Sequence, residues 1–340
     1  MNGHQRIKAA LAGVMPDCRP VMLHSFMVAT RYAGHTMKEY RDDPRIAAQC
    51  HIQFVEEFGV DGVFFDVDTA LMADAIGCPV DFPINEPARV CGQRLSSLDD
   101  VELLEEKDIS NHPRIQHSIE TMRLLREYFG HEVFLRGNCD QAPFSLACAM
   151  RGPETFMLDL IMESEKAMKL IEYTTRRCTQ MIRLMADAGV DMVSNGDSPA
   201  GPQMISPEMY RRFACQSERA MLCEAHRHGL PYLLHICGNT DRILSALIEI
   251  GLDAVELDYK TSIEAIHHNF AASTTLFGTV DPSGVIALGS PEDVRREILT
   301  IAERYRDNPR LVLGAGCAIP PMAPRENIHA FVKTVHELQN

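Results

Sequence analysis

Short apolar runs of β type alternate with longer stretches whose apolar positions recur every three to four residues, almost to the end of the chain. The strand-like runs cover 20–27, 62–67, 132–137, 191–195, 232–237, 254–257, 275–277 and 311–313. The amphipathic stretches between them cover 45–58, 114–129, 155–188, 207–228, 240–250, 262–269, 291–305 and 325–338. Punctuation supports the helical reading. Ser206-Pro207 and Ser290-Pro291 set a capping hydroxyl before a first-turn proline, and Gly189, Gly229 and Gly251 stand where helices should stop.

Eight strands with eight helical returns predict an α/β fold, one (β/α)8 barrel over residues 1–340 as a single domain, rather than an open doubly wound sheet. No G-x-G-x-x-G follows the first run, which removes the usual signal of a dinucleotide site. The region 68–111, with Pro79, Pro83 and Pro87, breaks the alternation. It is expected to form an irregular insertion after the second strand, beside the barrel mouth.

Composition narrows the class further. With 340 residues, 46% of them hydrophobic, the chain can bury a barrel core. No run of 18 apolar residues occurs, and the opening Met-Asn-Gly-His-Gln-Arg-Ile-Lys lacks the apolar centre of a signal peptide. A soluble, cytoplasmic protein with no membrane partner is therefore expected. The net charge of −14 and the lack of any basic run of five argue against nucleic acid as a partner. Eleven cysteines, an odd number without framework spacing, point to reduced thiols rather than disulfides. Most of them are ordinary small core residues, since cysteine is among the most buried residue types.

Three of the polar positions suggest a metal site. In Leu-Leu-His235-Ile-Cys237-Gly-Asn an apolar run ends at a glycine, and residues two apart on a strand face the same way. In Leu-Gly-Ala-Gly-Cys317-Ala-Ile-Pro-Pro another short run opens into a glycine-rich turn. One imidazole and two thiolates suit Zn2+, their donor atoms would lie within about 4 Å of one another, and three protein ligands leave a fourth position for a reacting group. A structural zinc would normally be closed by four protein ligands, and only three are apparent here.

Other ionisable and amide side chains gather where strands stop: Asp66 and Asp68, Asn138 and Asp140, Asn195 and Asp197, Glu256 and Asp258, and Asp281. In a barrel these ends converge on one face, where barrel enzymes keep their chemistry. Each is also a residue type favoured in caps and turns.

The chain resembles the uroporphyrinogen decarboxylase superfamily over nearly its whole length. The matching pieces are Arg19-Pro-Val, the second strand segment ending in Asp68 nine residues before Gly77, and Gln141-Ala-Pro-Phe-Ser-Leu-Ala. Asp197-Ser-Pro-Ala-Gly with Ser206-Pro-Glu-Met-Tyr210, and Phe277-Gly-Thr-Val-Asp281-Pro, complete the set. Within the superfamily, porphyrinogen decarboxylases carry Gly-His-Gly where this chain reads Gly316-Cys317-Ala318, and an arginine-rich segment where it reads His24 to Arg31 with one arginine. His235, Cys237 and Cys317 instead resemble the zinc signature of methylcobamide:coenzyme M methyltransferases, although those enzymes often read Gly-Cys-Gly.

That resemblance implies a zinc-dependent methyltransferase moving a methyl group between a corrinoid, such as methylcobalamin, and a thiol or similar small-molecule acceptor or donor. It also implies that the barrel uses the whole chain, so that the corrinoid sits on a separate corrinoid protein as partner. The fourth zinc position is then held by water or by Glu256, which substrate could displace. Asp68, Asp197 and Glu256 are then the candidate catalytic residues and Asn138 and Asn195 the candidate cofactor-binding residues, with Asp68, Asn195 and Asp197 as polar walls around acceptor or corrinoid. Two alternatives stay open: a metal-free tetrapyrrole decarboxylase using Asp68 to polarise pyrrole N–H groups, and a non-catalytic corrinoid- or tetrapyrrole-binding barrel.

Overall fold

The computed structural model describes residues 1–338, so the last two positions of the expected domain lie outside it. Eight parallel strands follow one another in chain order: β1 Met22–Leu23, β2 Gly62–Phe65, β3 Phe134–Gln141, β4 Met192–Gly196, β5 Tyr232–Ile236, β6 Ala254–Leu257, β7 Thr275–Phe277 and β8 Leu311–Val312. The two ends of the sheet meet: Val21 bridges Leu313 in parallel, and the Met22 amide donates to the Leu313 carbonyl at 3.0 Å. This is the (β/α)8 barrel that the alternation predicts.

Side chains two apart on each strand share a face, so the interior fills in layers. The lowest layer takes one residue from every strand: Met22, Phe64, Phe134, Met192, Leu233, Ala254, Phe277 and Val312. Ile7 and Ala10 of helix Gly3–Ala12 plug it from below. Two residues further along the strands come His24, Asp66, Arg136, Ser194, His235 and Glu256. The floor of the barrel is apolar and its next storey is polar.

Several element boundaries differ from the sequence reading. The run 20–27 forms only a two-residue strand, because a helix begins at Phe26 and runs to Tyr32. The stretch 155–188 is two helices, Pro153–Met162 and Ser164–Asp187, parted at Glu163, whose backbone is non-helical (φ −135°, ψ 44°). The stretch 207–228 is Pro207–Phe213 followed by Cys215–Arg227. The alternation does not mark helix Pro143–Arg151, which brings Ser145, Cys148 and Ala149 to the barrel mouth. The insertion holds helix Leu71–Ala75, a small antiparallel pair (Val80–Asp81 with Arg89–Val90) and a 3-10 turn Leu98–Leu103. It reaches the mouth through Thr69 and Pro87. Among the described residues, no helix is long and apolar enough to cross a membrane.

Candidate active site

A cavity of about 590 Å3 opens above the polar storey, and His235, Cys237 and Cys317 border it together. His235 and Cys237 arrive on β5 and the residue just beyond it, with the parity that points them inward from Leu233. Cys317 arrives on the loop after β8. Its neighbour Gly316 makes that approach possible, since a Cβ there would lie 2.9 Å from the Tyr259 amide nitrogen and 3.2 Å from the Leu257 carbonyl. His235 Nε2 lies 3.0 Å from Cys237 Sγ, and the two sulfurs are 3.6 Å apart. One donor atom from each of the three residues falls within 4.8 Å of the others.

The other edge of the His235 ring is held from behind. Nδ1 lies 3.0 Å from the Glu256 main-chain oxygen and 3.2 Å from Glu256 Oε1. Glu256 is in turn ion-paired with Arg136, which is 1% exposed, donates from Nε to Ser194 Oγ at 2.9 Å, and lies 3.6 Å above the Phe64 ring centre. An Nδ1–H donated to Glu256 leaves the Nε2 lone pair facing the sulfurs. Glu256 therefore stands on the far edge of the imidazole, where it braces the ring rather than completing a ligand set.

The proton balance of the three groups is unusual. Hydrogen bonding to Cys317 leads in pulling the Cys237 thiol down, to about 3, against burial, and the His235 charge adds to it. The same bond, with burial, pushes Cys317 up. Burial alone would lower His235, but the Cys237 charge and its hydrogen bonds to Cys237, Cys317 and Glu256 outweigh that and raise it well above its ordinary value. Burial opposes the Glu256 charge, yet Arg136 and His235 hold its carboxyl below the usual range.

The remaining sequence candidates divide. Asp68 borders the cavity, with Oδ1 accepting from the Ala70 amide at 2.9 Å and Oδ2 paired with Arg114. Burial raises its carboxyl. Asn138 also borders the cavity, but donates to Asp66 Oδ1 at 2.6 Å and accepts from the Asp140 amide at 3.0 Å. Asn195 touches the cavity, yet its amide group braces the end of β3: Nδ2 donates to the Cys139 carbonyl at 2.9 Å, and Tyr232 donates to Oδ1 at 3.2 Å.

Asp197 does not border the cavity. It is 0% exposed and outside the cavity, and it accepts from the Ser145 amide at 2.9 Å and hydroxyl at 2.5 Å. It follows the end of β4 and is held by Ser145, which itself borders the cavity. Sequence reasoning missed Arg136 and His24 as cavity residues. The signal was available: each stands two places after a member of the lowest layer, Phe134 and Met22.

Fold and cavity define a (β/α)8 barrel with its pocket at the C-terminal mouth, the place where barrel enzymes keep their chemistry. A family model described as uroporphyrinogen decarboxylase (URO-D) matches residues 2–338, and the chain belongs to that family. It is 24% identical over 333 residues to a methylcobamide:CoM methyltransferase, MtaA, of Methanosarcina barkeri, covering 96% of this chain and 95% of that one. It is 28% identical over 326 residues to a uroporphyrinogen decarboxylase of Syntrophotalea carbinolica, covering 91% and 92%. A solved structure of a methyltransferase from Methanosarcina mazei aligns with a TM-score of 0.91 over 99% of each chain at 24% identity, a likeness of fold.

Proposed function

We propose that this chain is a zinc-dependent methyltransferase that moves a methyl group between a corrinoid and a thiol or similar acceptor. The observation that carries the reading is the convergence of His235, Cys237 and Cys317 on one wall of the mouth cavity. The donor set fits zinc: one imidazole nitrogen freed by Glu256 on its other edge, and two sulfurs that lie beside it and beside each other. Bound there, Zn2+ would favour the thiolate form of an incoming thiol and hold its sulfur.

Cys237 and Cys317 would bring two negative charges, which keep the site near neutral and its sulfur electron-rich. Arg136 holds Glu256, and Glu256 holds the His235 ring, so the donors need little rearrangement. The cavity walls orient a small acceptor. The methyl donor is a methylated corrinoid presented from the mouth, by a partner corrinoid protein or as free methylcobalamin.

The charge of the cavity favours this reading over tetrapyrrole decarboxylation. A porphyrinogen with eight carboxylates calls for basic reception. Among the described residues, Arg136 is the one arginine bordering the cavity, no lysine does, and Arg136 is already paired with Glu256. Asp66, Asp68 and Asp140 border it as well. Arg31, the arginine of the early segment, donates to the Pro321 carbonyl at 2.8 Å instead.

One preparation tests both readings. Zinc-loaded protein should consume methylcobalamin on addition of a small thiol, followed without oxygen by loss of the methyl–cobalt absorbance, and Cys237→Ala should abolish this while the barrel stays folded. Decarboxylation of a porphyrinogen that survives zinc chelation, with no methyl transfer to any thiol or pterin, would move the chain to the decarboxylases.

A further inference from the structure

We infer that the acceptor of this site is a thiol with an uncharged tail, and that the charges lining the cavity, Asp66 foremost, reject thiols with an anionic tail; the inference rests on the methyltransferase reading and carries it to the class of substrate. A methyl donor presented from the mouth covers the cavity from above. An acceptor whose sulfur lies at His235, Cys237 and Cys317 is then confined beneath it, together with whatever group its tail carries. A charge brought there leaves water behind and needs a partner on the walls.

An anion finds its partners taken. Outside the metal cluster, Arg136 and His24 are the basic side chains that border the cavity among the described residues. Arg136 is ion-paired with Glu256, its guanidinium lies 3.6 Å above the Phe64 ring centre, and its remaining nitrogen, Nη2, is enclosed by protein. His24 Nε2 lies 2.7 Å from Asp66 Oδ2, and its Nδ1 is enclosed as well. Cys237 and Cys317 as thiolates would offset the charge of a bound Zn2+, so the metal adds no net attraction for a distant anionic group.

The carboxylates, in contrast, are not all balanced by cations. Glu256 has Arg136, and Asp68 has Arg114. Burial raises the Asp140 carboxyl well above its usual range. Asp66 is partnered by the His24 imidazole and by two amides rather than by a permanent cation, accepting at Oδ1 from Asn138 Nδ2 at 2.6 Å and from the Val67 amide at 2.7 Å. It stands two places after Phe64 of the lowest layer, inside the barrel, and 8% of its side chain stays exposed. Across a few ångströms of partly buried space, one such charge changes the affinity for another by about 10-fold or more. A cationic tail escapes that repulsion but finds each carboxylate already engaged. A neutral tail gives up least water and meets neutral groups, among them Phe26, Met27, Thr69 and Gln141.

Thiols of equal length separate tail charge from size: 2-mercaptoethanol, 2-aminoethanethiol and 2-mercaptoethanesulfonate. Zinc-loaded protein is given each with methylcobalamin at one pH, and kcat/KM is compared. The S-methyl forms, which carry the same tails without an ionisable thiol, are compared by equilibrium dialysis, so that thiol acidity does not enter. Both series should place the sulfonate last, about 10-fold or more below the neutral compound, with the amine above the sulfonate. Asp66→Asn removes the carboxylate charge while keeping the side chain's shape, and should narrow the gap between neutral compound and sulfonate by about 5-fold with zinc content unchanged.

A sulfonate accepted as well as the neutral thiol, an amine accepted less well than the sulfonate, or a gap that Asp66→Asn leaves as it was would overturn the inference. Transfer to none of the thiols, with methylcobalamin left intact, would instead overturn the methyltransferase reading, and this inference with it.

Discussion

His235 has a different neighbour on each ring nitrogen, and the proposed site depends on that asymmetry. Glu256 and its main-chain carbonyl face Nδ1, while Cys237 faces Nε2. Partners that orient a ligating imidazole typically contribute 10–100-fold in metal affinity. Glu256→Gln should therefore weaken zinc binding by about 10–100-fold in a chelator competition, and unchanged affinity would mean that the carboxylate does not set the ring. Glu256→Ala is the poorer test, because Arg136 would be left buried without its partner, at a cost of about 3–5 kcal/mol.

Asp197 shows what a strand-end carboxyl does outside the cavity. Burial leads in pushing its carboxyl up to about 6, and a hydrogen bond joins it to the buried Glu218, whose carboxyl also lies well above the usual range. A carboxyl raised on folding holds a proton that the unfolded chain has already lost. Its contribution to stability is then fully present at low pH and falls as pH rises from about 4 to about 6 and beyond. Urea unfolding at pH 5 and pH 8 should show a smaller loss of stability in Asp197→Asn than in wild type; identical losses would contradict the shared proton.

At the element scale, the barrel mouth works because two loops can approach closely. Gly316 lets the turn after β8 pass against the end of β6, where any side chain would meet backbone at Tyr259, Leu257 and Asp258. Gly316→Ala should displace that turn and Cys317 with it, lowering zinc occupancy after dialysis while far-ultraviolet circular dichroism stays that of the barrel. Full occupancy would show that the turn gives way without moving the sulfur.

The strands were legible because apolar runs bounded by glycine and caps report burial directly, and the eight runs map onto the eight strands. Helix breaks at Glu163 and Ala214 were not, since an amphipathic pattern continues across both kinks. His235, Cys237 and Cys317 were legible as residue types that only chemistry would bring together. The places taken by Asp197 and Glu256 were not read from strand ends alone, because position along a strand says how high a residue sits and not what it packs against. Arg136 hid inside an apolar run, where an arginine signals nothing until its carboxylate partner on another strand is known.

On the scale of the whole molecule, the barrel separates stability from chemistry along its axis. The lower layer is apolar and plugged by the first helix, so the polar layer above it can carry Arg136, Glu256, His235, His24 and Asp66 without being part of the packing that holds the strands together. Relatives named as methyltransferases and as decarboxylases share this frame, so the residues bordering the mouth, rather than the fold, decide between the two chemistries. Zinc K-edge absorption of the protein, recorded before and after a small thiol is added, reads that decision most directly. The expected result is about one zinc per chain, ringed by two sulfurs and one imidazole nitrogen with a light-atom fourth ligand, and a third sulfur once thiol is present. A zinc shell that thiol does not change, or a purified protein that takes up no zinc, would contradict it.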